Sequence, residues 1–299
     1  MRLRILALTM VALMSAGCVT SEYNVPSNMR VERENSANNP YQMTVSSDVA
    51  RAGETSQRFE IRHGDCGPYD CNNDRRRIEA IQNDGPSEAR PNQSRWYGWS
   101  IYLPQDFQDL TPTNTHLGQV KIVNWRHPIW AFTVRNGSLI FEHRTNGQDN
   151  VQTCRIASLN QVRGRWTDLV VFSDFSYDSG DDSPTLQVWR NGQLVCSETR
   201  TIVTKEMAAA SRSSSIYMRI GIYNSYVSRW LNANKTRSVD AVSFNDVHGQ
   251  TGTSIRSAAQ RPFDYDWGVQ LPTQVAFYDE VRIGYSREAV DVRMIYDNN

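Results

Sequence analysis

From about residue 41 onward, apolar and polar positions alternate with period two rather than 3.6. The pattern is clearest in Arg58-Phe-Glu-Ile-Arg62, Trp96-Tyr-Gly-Trp-Ser-Ile-Tyr102, Trp130-Ala-Phe-Thr-Val134 and Trp166-Thr-Asp-Leu-Val-Val-Phe172. It returns in Leu186-Gln-Val-Trp189, Ile216-Tyr-Met-Arg-Ile-Gly-Ile-Tyr223 and Val275-Ala-Phe-Tyr-Asp-Glu-Val-Arg-Ile283. Each segment is short, aromatic or β-branched, and bounded by Gly, Pro, Asn or Asp, which is the composition of strands and turns. Arg135-Asn-Gly-Ser138 and Arg190-Asn-Gly-Gln193 carry the Asn-Gly pair that suits two-residue hairpin turns. Helical spacing is persuasive only near Lys205–Ala210. The pattern therefore predicts an all-β protein, an antiparallel sandwich or jelly roll.

Two regions depart from it. At the N-terminus, Arg2 and Arg4 precede an apolar run from Ile5 to Met14 that is too short to span a bilayer, followed by Ser15-Ala-Gly-Cys18. This layout reads as a signal peptide over residues 1–17. It resembles the lipobox of bacterial lipoproteins, with Cys18 as the acylated first mature residue and Ser15 standing where that motif usually has Leu. Residues 18–40 are polar and aperiodic and read as a tether carrying the lipidated cysteine. Residues 41–299 then form a single domain, with a long polar insertion at about 228–268 that could cover a groove. The expectation is an exported bacterial lipoprotein in the periplasm or at the outer membrane or cell surface. It would touch the membrane only through its anchor, because no later stretch approaches the ~20 apolar residues of a spanning helix.

Cysteine parity agrees with export. Of the five cysteines, setting Cys18 aside leaves four, an even set for an oxidising compartment. Cys66 and Cys71 bracket a turn-rich segment that could close as a tight loop, and Cys154 and Cys196 would then pair. There is no Cys-x-x-Cys and no nearby His pair, so no zinc site is expected. The loop holding Asp65, Asp70, Asn72, Asn73 and Asp74 has oxygen ligands enough for a structural Ca²⁺, although its spacing is not that of an EF-hand. No cofactor is required. Lys plus Arg and Asp plus Glu each number 32; removing Arg2 and Arg4 with the signal leaves about −2. Bulk charge gives no reason to expect nucleic acid, and a polyanion could be held only by a local positive cleft. A monomer is expected.

Side-chain parity singles out a candidate site. In Tyr217-Met-Arg-Ile-Gly-Ile-Tyr223 the residues Tyr217, Arg219, Gly221 and Tyr223 share one face, and Met218, Ile220 and Ile222 the other. Two phenols and a cation flanking a glycine suggest a groove floor. Gln119, Lys121, Val123 and Trp125 alternate likewise, as do Arg77 with Glu79, and Arg58, Glu60 and Arg62; the last two patterns also suit a structural ion-pair ladder. Trp125, Trp130 and Trp230 could stack on sugar rings.

The order Arg77-Ile-Glu79, Gln119-Val-Lys121, Tyr217-Met-Arg-Ile-Gly-Ile-Tyr223 resembles the jelly-roll polysaccharide lyases of the heparin lyase I-like, glucuronan lyase and alginate lyase group. Those families read approximately Arg-Ser-Glu-Leu, Gln-Ile-His and Tyr-Phe-Lys-x-Gly-x-Tyr. Supporting phrases are Trp96-Tyr-Gly-Trp-Ser-Ile-Tyr-Leu-Pro104, Gly164-Arg-Trp-Thr-Asp-Leu-Val170, Val188-Trp-Arg-Asn-Gly192 and Tyr278-Asp-Glu-Val-Arg-Ile-Gly284. The resemblance implies a concanavalin A-like fold and cleavage of a uronic-acid-containing polysaccharide by β-elimination. It implies Arg77 and Gln119 as neutralisers of the substrate carboxylate, Tyr223 as acid and as a candidate base, and Arg219 as holder of a neighbouring carboxylate. Arg62, Glu79, Trp125, His127 and Tyr217 are expected to contact substrate. Lys121 stands where the family often has a catalytic His: either it is desolvated enough to be the base, or it binds the carboxylate while Tyr223 makes both transfers. His63, His127 and His143 are alternative bases, whereas His116 and His248 sit in loop-like contexts. Competing readings are a non-catalytic carbohydrate-binding surface lipoprotein and a glycoside hydrolase, which would need two flanking carboxylates that no strand presents.

Overall fold

The computed structural model describes residues 29–83, 85, 88–147, 151–177, 182–210, 215–237 and 262–296. The signal peptide and Cys18, most of the insertion and His248 lie outside the described residues. Two seven-stranded antiparallel sheets face each other as a jelly-roll sandwich, with strands numbered in chain order. One sheet runs β1 (Met29–Val31), β4 (Arg75–Gln82), β13 (Ile216–Ser225), β6 (Asn114–Ile122), β7 (Trp130–Arg135), β8 (Ser138–Arg144), β9 (Val151–Ser158). The other runs β12 (Gln193–Glu198), β11 (Leu186–Arg190), β10 (Trp166–Asp174), β5 (Ser94–Tyr102), β14 (Gln274–Gly284), β3 (Ser56–Ile61), β2 (Met43–Ser46).

Alternation decides which side of each strand is buried. Met218, Ile220 and Ile222 of β13 meet Ile78 and Ala80 of β4 and Trp99 and Ile101 of β5 in one apolar core between the sheets. Asn136 and Gly137, and Asn191 and Gly192, have positive φ, as the two hairpin turns require. Cys66 is bonded to Cys71, and Cys154 to Cys196 across 42 positions, so the second bridge ties β9 to β12 at the sandwich edge.

The expected tether is shorter than its composition indicates. Met29–Val31, within that stretch, is an edge strand against Gln82, Ile81 and Ala80. Met29 is buried in the core, which anchors a segment too short to show a period. Within the insertion, helix Val227–Asn234 seats Val227 and Leu231 against Leu110, Trp267 and Leu271 in a satellite cluster. Among the described residues no helix is long and apolar enough to cross a membrane.

Candidate active site

The solvent-facing side of β4, β13 and β6 forms the floor of a groove of about 710 Å³. Its parts are placed by register. Arg77 and Glu79 on β4 lie opposite Tyr223 and Gly221 on β13, and Gln119 and Lys121 on β6 lie opposite Arg219 and Tyr217. A pair of bulges interrupts this regularity. From Arg219 to Tyr223 is four positions on β13, but the partners Gln119 and His116 are three apart on β6. Leu117 is in turn the extra residue of β6 against β7. Both Gln119 and His116 therefore face the groove, although a regular strand would send residues three apart to opposite faces. The Tyr278 hydroxyl, reaching across from β14, lies 2.7 Å from the Leu117 carbonyl and 2.7 Å from the Gly221 carbonyl, at both bulges at once.

Beneath the floor Glu79, 2% exposed, gathers the polar groups. It accepts a hydrogen bond from Gln119 Nε2 at 2.6 Å and meets Arg77 and Arg219 at 3.3 Å each. Burial alone would raise its pKa, but Arg219 and Arg77 hold its carboxyl below the usual range. Asp70, fully buried, grips Arg77 through Nε and Nη2. Glu32, in the N-terminal segment, approaches the far side of Arg219 at 3.4 Å. The two arginines are thus fixed from below while both line the groove.

Tyr223 lies between Arg77, 4.4 Å from its ring centre, and His116, whose ring centroid is 5.3 Å away and nearly parallel. Burial raises the Tyr223 pKa, against the pull of Arg75 and Arg77, so the phenol keeps its proton at neutral pH. Burial lowers the His116 pKa, so its imidazole is neutral there. Lys121 is pushed down to about 8, first by desolvation and then by the neighbouring Arg219 charge. His116 Nδ1 lies 2.9 Å from the Thr133 hydroxyl, which donates to Glu142 at 3.2 Å.

The groove wall is cationic. Arg75, Arg77, Lys121, Arg126, Arg135, Arg144 and Arg219 line it, with Glu142 the carboxylate among the lining residues. Cations remain in excess even when Asp70, Glu79 and Glu32 beneath are counted. A polysaccharide lyase family profile matches residues 24–248.

The chain belongs to the polysaccharide lyase family.

Its sandwich is similar to that of the endo-β-1,4-glucuronan lyase from the fungus Trichoderma reesei, at 19% identity and a TM-score of 0.52, covering 86% of this chain and 92% of that one. It also aligns with an alginate lyase of polysaccharide lyase family 7, at 13% identity and a TM-score of 0.45, covering 83% and 84%. No functionally curated protein sequence matches it. The chain is a polysaccharide-cleaving lyase with the jelly-roll fold of that group.

In this lyase, Arg77, Gln119, Lys121, Tyr223, Arg219, Trp125 and His127 all line the groove. Three expected contacts fall elsewhere, and the expected gap in the floor is filled. Arg62 is in the opposite sheet's loop, paired with Glu60 and stacked on Tyr41 at 3.7 Å. Glu79 lies under the floor, outside the groove lining, bound to Gln119, Arg77 and Arg219. Tyr217 lines an adjoining hollow of about 800 Å³ between β1 and β13, which shares Arg219 with the groove. Gly221 does not open the floor: a Cβ there would point 2.2 Å from the Ile78 carbonyl, into the neighbouring strand.

The carboxylates of the loop rich in oxygen ligands each have other partners. Asp65 accepts from Tyr41 and Asn39, Asp70 holds Arg77, and Asp74 caps Ser228 of the following helix. Among the described residues no group of three His, Cys, Asp or Glu could hold a metal ion. His63 accepts the Leu271 amide, and His143 pairs with Glu198 at 3.2 Å, so neither faces the groove. The histidine that does so beside Tyr223 is His116. Strand parity counted through the bulge hides it; its position three before Gln119, with Gly118 between, was the available signal.

Proposed function

We propose that this lyase cleaves a uronate-containing polysaccharide by β-elimination, with His116 as base and Tyr223 as acid. The observation that carries the reading is a concentrated positive groove, in a chain without net charge, built around a neutral imidazole and a protonated phenol. The C5 proton of a uronate is weakly acidic beside its ionised carboxylate. Arg77 and the second amide hydrogen of Gln119 would neutralise that carboxylate and stabilise the enolate-like intermediate. Lys121 and Arg219 would hold it, or a neighbouring one, by charge.

Lys121 is the weaker candidate base. Its lowered pKa is a property of the empty groove, and an anionic sugar beside it restores the charged form. His116 starts from a lower ordinary value than lysine and is lowered further, first by burial, with Glu142 and Glu79 opposing the shift and Arg144 and Arg135 adding to it. Two titratable groups with pKa values pushed apart divide the roles: the neutral imidazole accepts the C5 proton, and the phenol protonates the leaving glycosidic oxygen. Both stand on the same side of the floor, which suits a syn elimination.

Incubated with poly-glucuronate and with alginate, the protein should generate the conjugated unsaturated uronate end that only elimination creates, followed by its ultraviolet absorbance. His116→Asn should lower turnover roughly 10²–10⁴-fold. A wild-type protein that cuts neither polymer nor any other uronate in a panel, but cuts a neutral one, would remove the acidic-substrate reading.

The pH profile separates Lys121 from His116. Since kcat/KM reports the free enzyme, it should fall as pH rises through about 8, where Lys121 loses its charge. Lys121→Arg keeps a cation at all working pH and should move that falling limb upward. An unmoved limb assigns it to another group.

A further inference from the structure

We infer that Thr133 and Glu142 form a relay that sets the tautomer of His116 and so leaves Nε2 unprotonated toward the groove. The inference rests on His116 being the base, and its test is readable without activity. The geometry is a chain of four groups across neighbouring strands, joined by three contacts: His116 Nδ1 to Thr133 Oγ1 at 2.9 Å, Thr133 Oγ1 to Glu142 Oε2 at 3.2 Å, and Glu142 Oε1 to Arg135 Nη2 at 3.3 Å. Thr133 is fully buried and Glu142 nearly so. Register enforces the chain, because Thr133 on β7 lies opposite His116 on β6, while Glu142 on β8 lies opposite Ala131, on the same face of β7 as Thr133.

Hydrogen counting gives the chain a direction. A carboxylate can only accept, and a hydroxyl has one hydrogen. Thr133 therefore donates to Glu142 and can only accept from the imidazole, so Nδ1 carries the hydrogen and Nε2 the lone pair. A base on this ring must act through Nε2, since Nδ1 is turned to β7. Thr133 and Glu142 are thus positioning residues. The reach of Arg135 matters as well, because it fixes which carboxylate oxygen faces Thr133.

Glu142→Gln reverses the relay at constant shape. Arg135 can only donate, so it keeps the amide oxygen, and the amide NH₂ turns to Thr133. Thr133 must then send its hydrogen to Nδ1, which places the imidazole hydrogen on Nε2. With ¹⁵N-labelled histidine, and His116→Asn to assign the signal, wild type should show a protonated Nδ1 and Glu142→Gln a protonated Nε2. Turnover in Glu142→Gln should fall roughly 10²–10⁴-fold, as when a buried orienting carboxylate is lost elsewhere.

The pH profile distinguishes this from simple loss of a charge. Glu142 and Glu79 favour the charged imidazole, while Arg135 and Arg144 disfavour it; Tyr223 and Arg77 complete the surroundings. Removing the Glu142 charge alone would move the acid limb to lower pH and leave the plateau intact. A reversed tautomer lowers the plateau itself. Thr133→Val should also lower it, and Thr133→Ser, which keeps the hydroxyl, should restore it. A protonated Nε2 in wild type, or an unchanged tautomer in Glu142→Gln, overturns the relay. If the tautomer switches as expected while His116→Asn retains turnover, the relay stands and the assignment of His116 as base fails.

Discussion

Tyr223→Phe should abolish formation of unsaturated product while leaving polymer binding close to that of wild type. The substitution removes one oxygen. The ring contacts remain, with Arg77 over one face and His116 beside it, so the groove keeps its shape and charge. What disappears is the transferable proton, and loss of an acid–base group typically costs ~10²–10⁴-fold in turnover. The loss should fall on kcat and not on KM, which separates a proton donor from a binding contact. Burial keeps the wild-type phenol protonated, so raising the pH toward 9 should lower kcat/KM through Lys121 without the loss of kcat that the mutation causes. Near wild-type turnover in Tyr223→Phe on a confirmed substrate would transfer the acid role to another group. Arg77→Ala is a poorer probe: it would strand Asp70, fully buried, without its cation and leave Glu79 with Arg219 alone, and breaking such a buried pair costs about 3–5 kcal/mol in stability.

Gly221→Ala should destabilise the fold by more than about 3 kcal/mol, read as a lowered denaturation midpoint at unchanged m-value. Gly221 has φ of 130°, a region that side chains rarely adopt, and strain of that kind costs of order 1–3 kcal/mol by itself. The added Cβ would also sit 2.2 Å from the Ile78 carbonyl and 2.8 Å from Glu79 Cα, both backbone atoms of β4 that cannot swing aside. Moving β4 would displace Arg77 and Glu79, so activity should fall with stability. Tyr278→Phe offers a graded comparison at the same bulges. It deletes the hydroxyl between the Leu117 and Gly221 carbonyls and should cost about 1–3 kcal/mol for the buried acceptors left unpaired. Wild-type stability in Gly221→Ala would mean that β13 runs through this point without its bulge.

The strands, the two Asn-Gly hairpins and the split of β13 into core and groove faces were legible from the sequence, because each depends on neighbours a few positions away. Period-two alternation tells a strand which side to bury, and Met218, Ile220 and Ile222 obey it. The disulfides followed from parity of count, and Arg77, Gln119, Lys121 and Tyr223 from an ordered set of short motifs. Charge balance over the whole chain excluded a polyanion held by bulk electrostatics and left a local cleft as the only route.

The tertiary structure alone decided the rest, and in each case through a partner distant in sequence. His116 enters the site because two coupled bulges shift parity on β6, and the group poised between them, Tyr278, comes from the opposite sheet 161 positions from Leu117. Glu79 carries the same Arg-x-Glu pattern as a surface ladder or a substrate contact. Only the approach of Gln119 from β6 and Arg219 from β13 turns it into a buried anchor. Arg58-x-Glu60 repeats that pattern in the other sheet, with Arg62 in the loop just beyond it, which no local spacing could reveal. Alternation is a property of one strand, whereas a catalytic cluster is a property of register between strands, and register depends on bulges that cost one residue and leave little trace in composition.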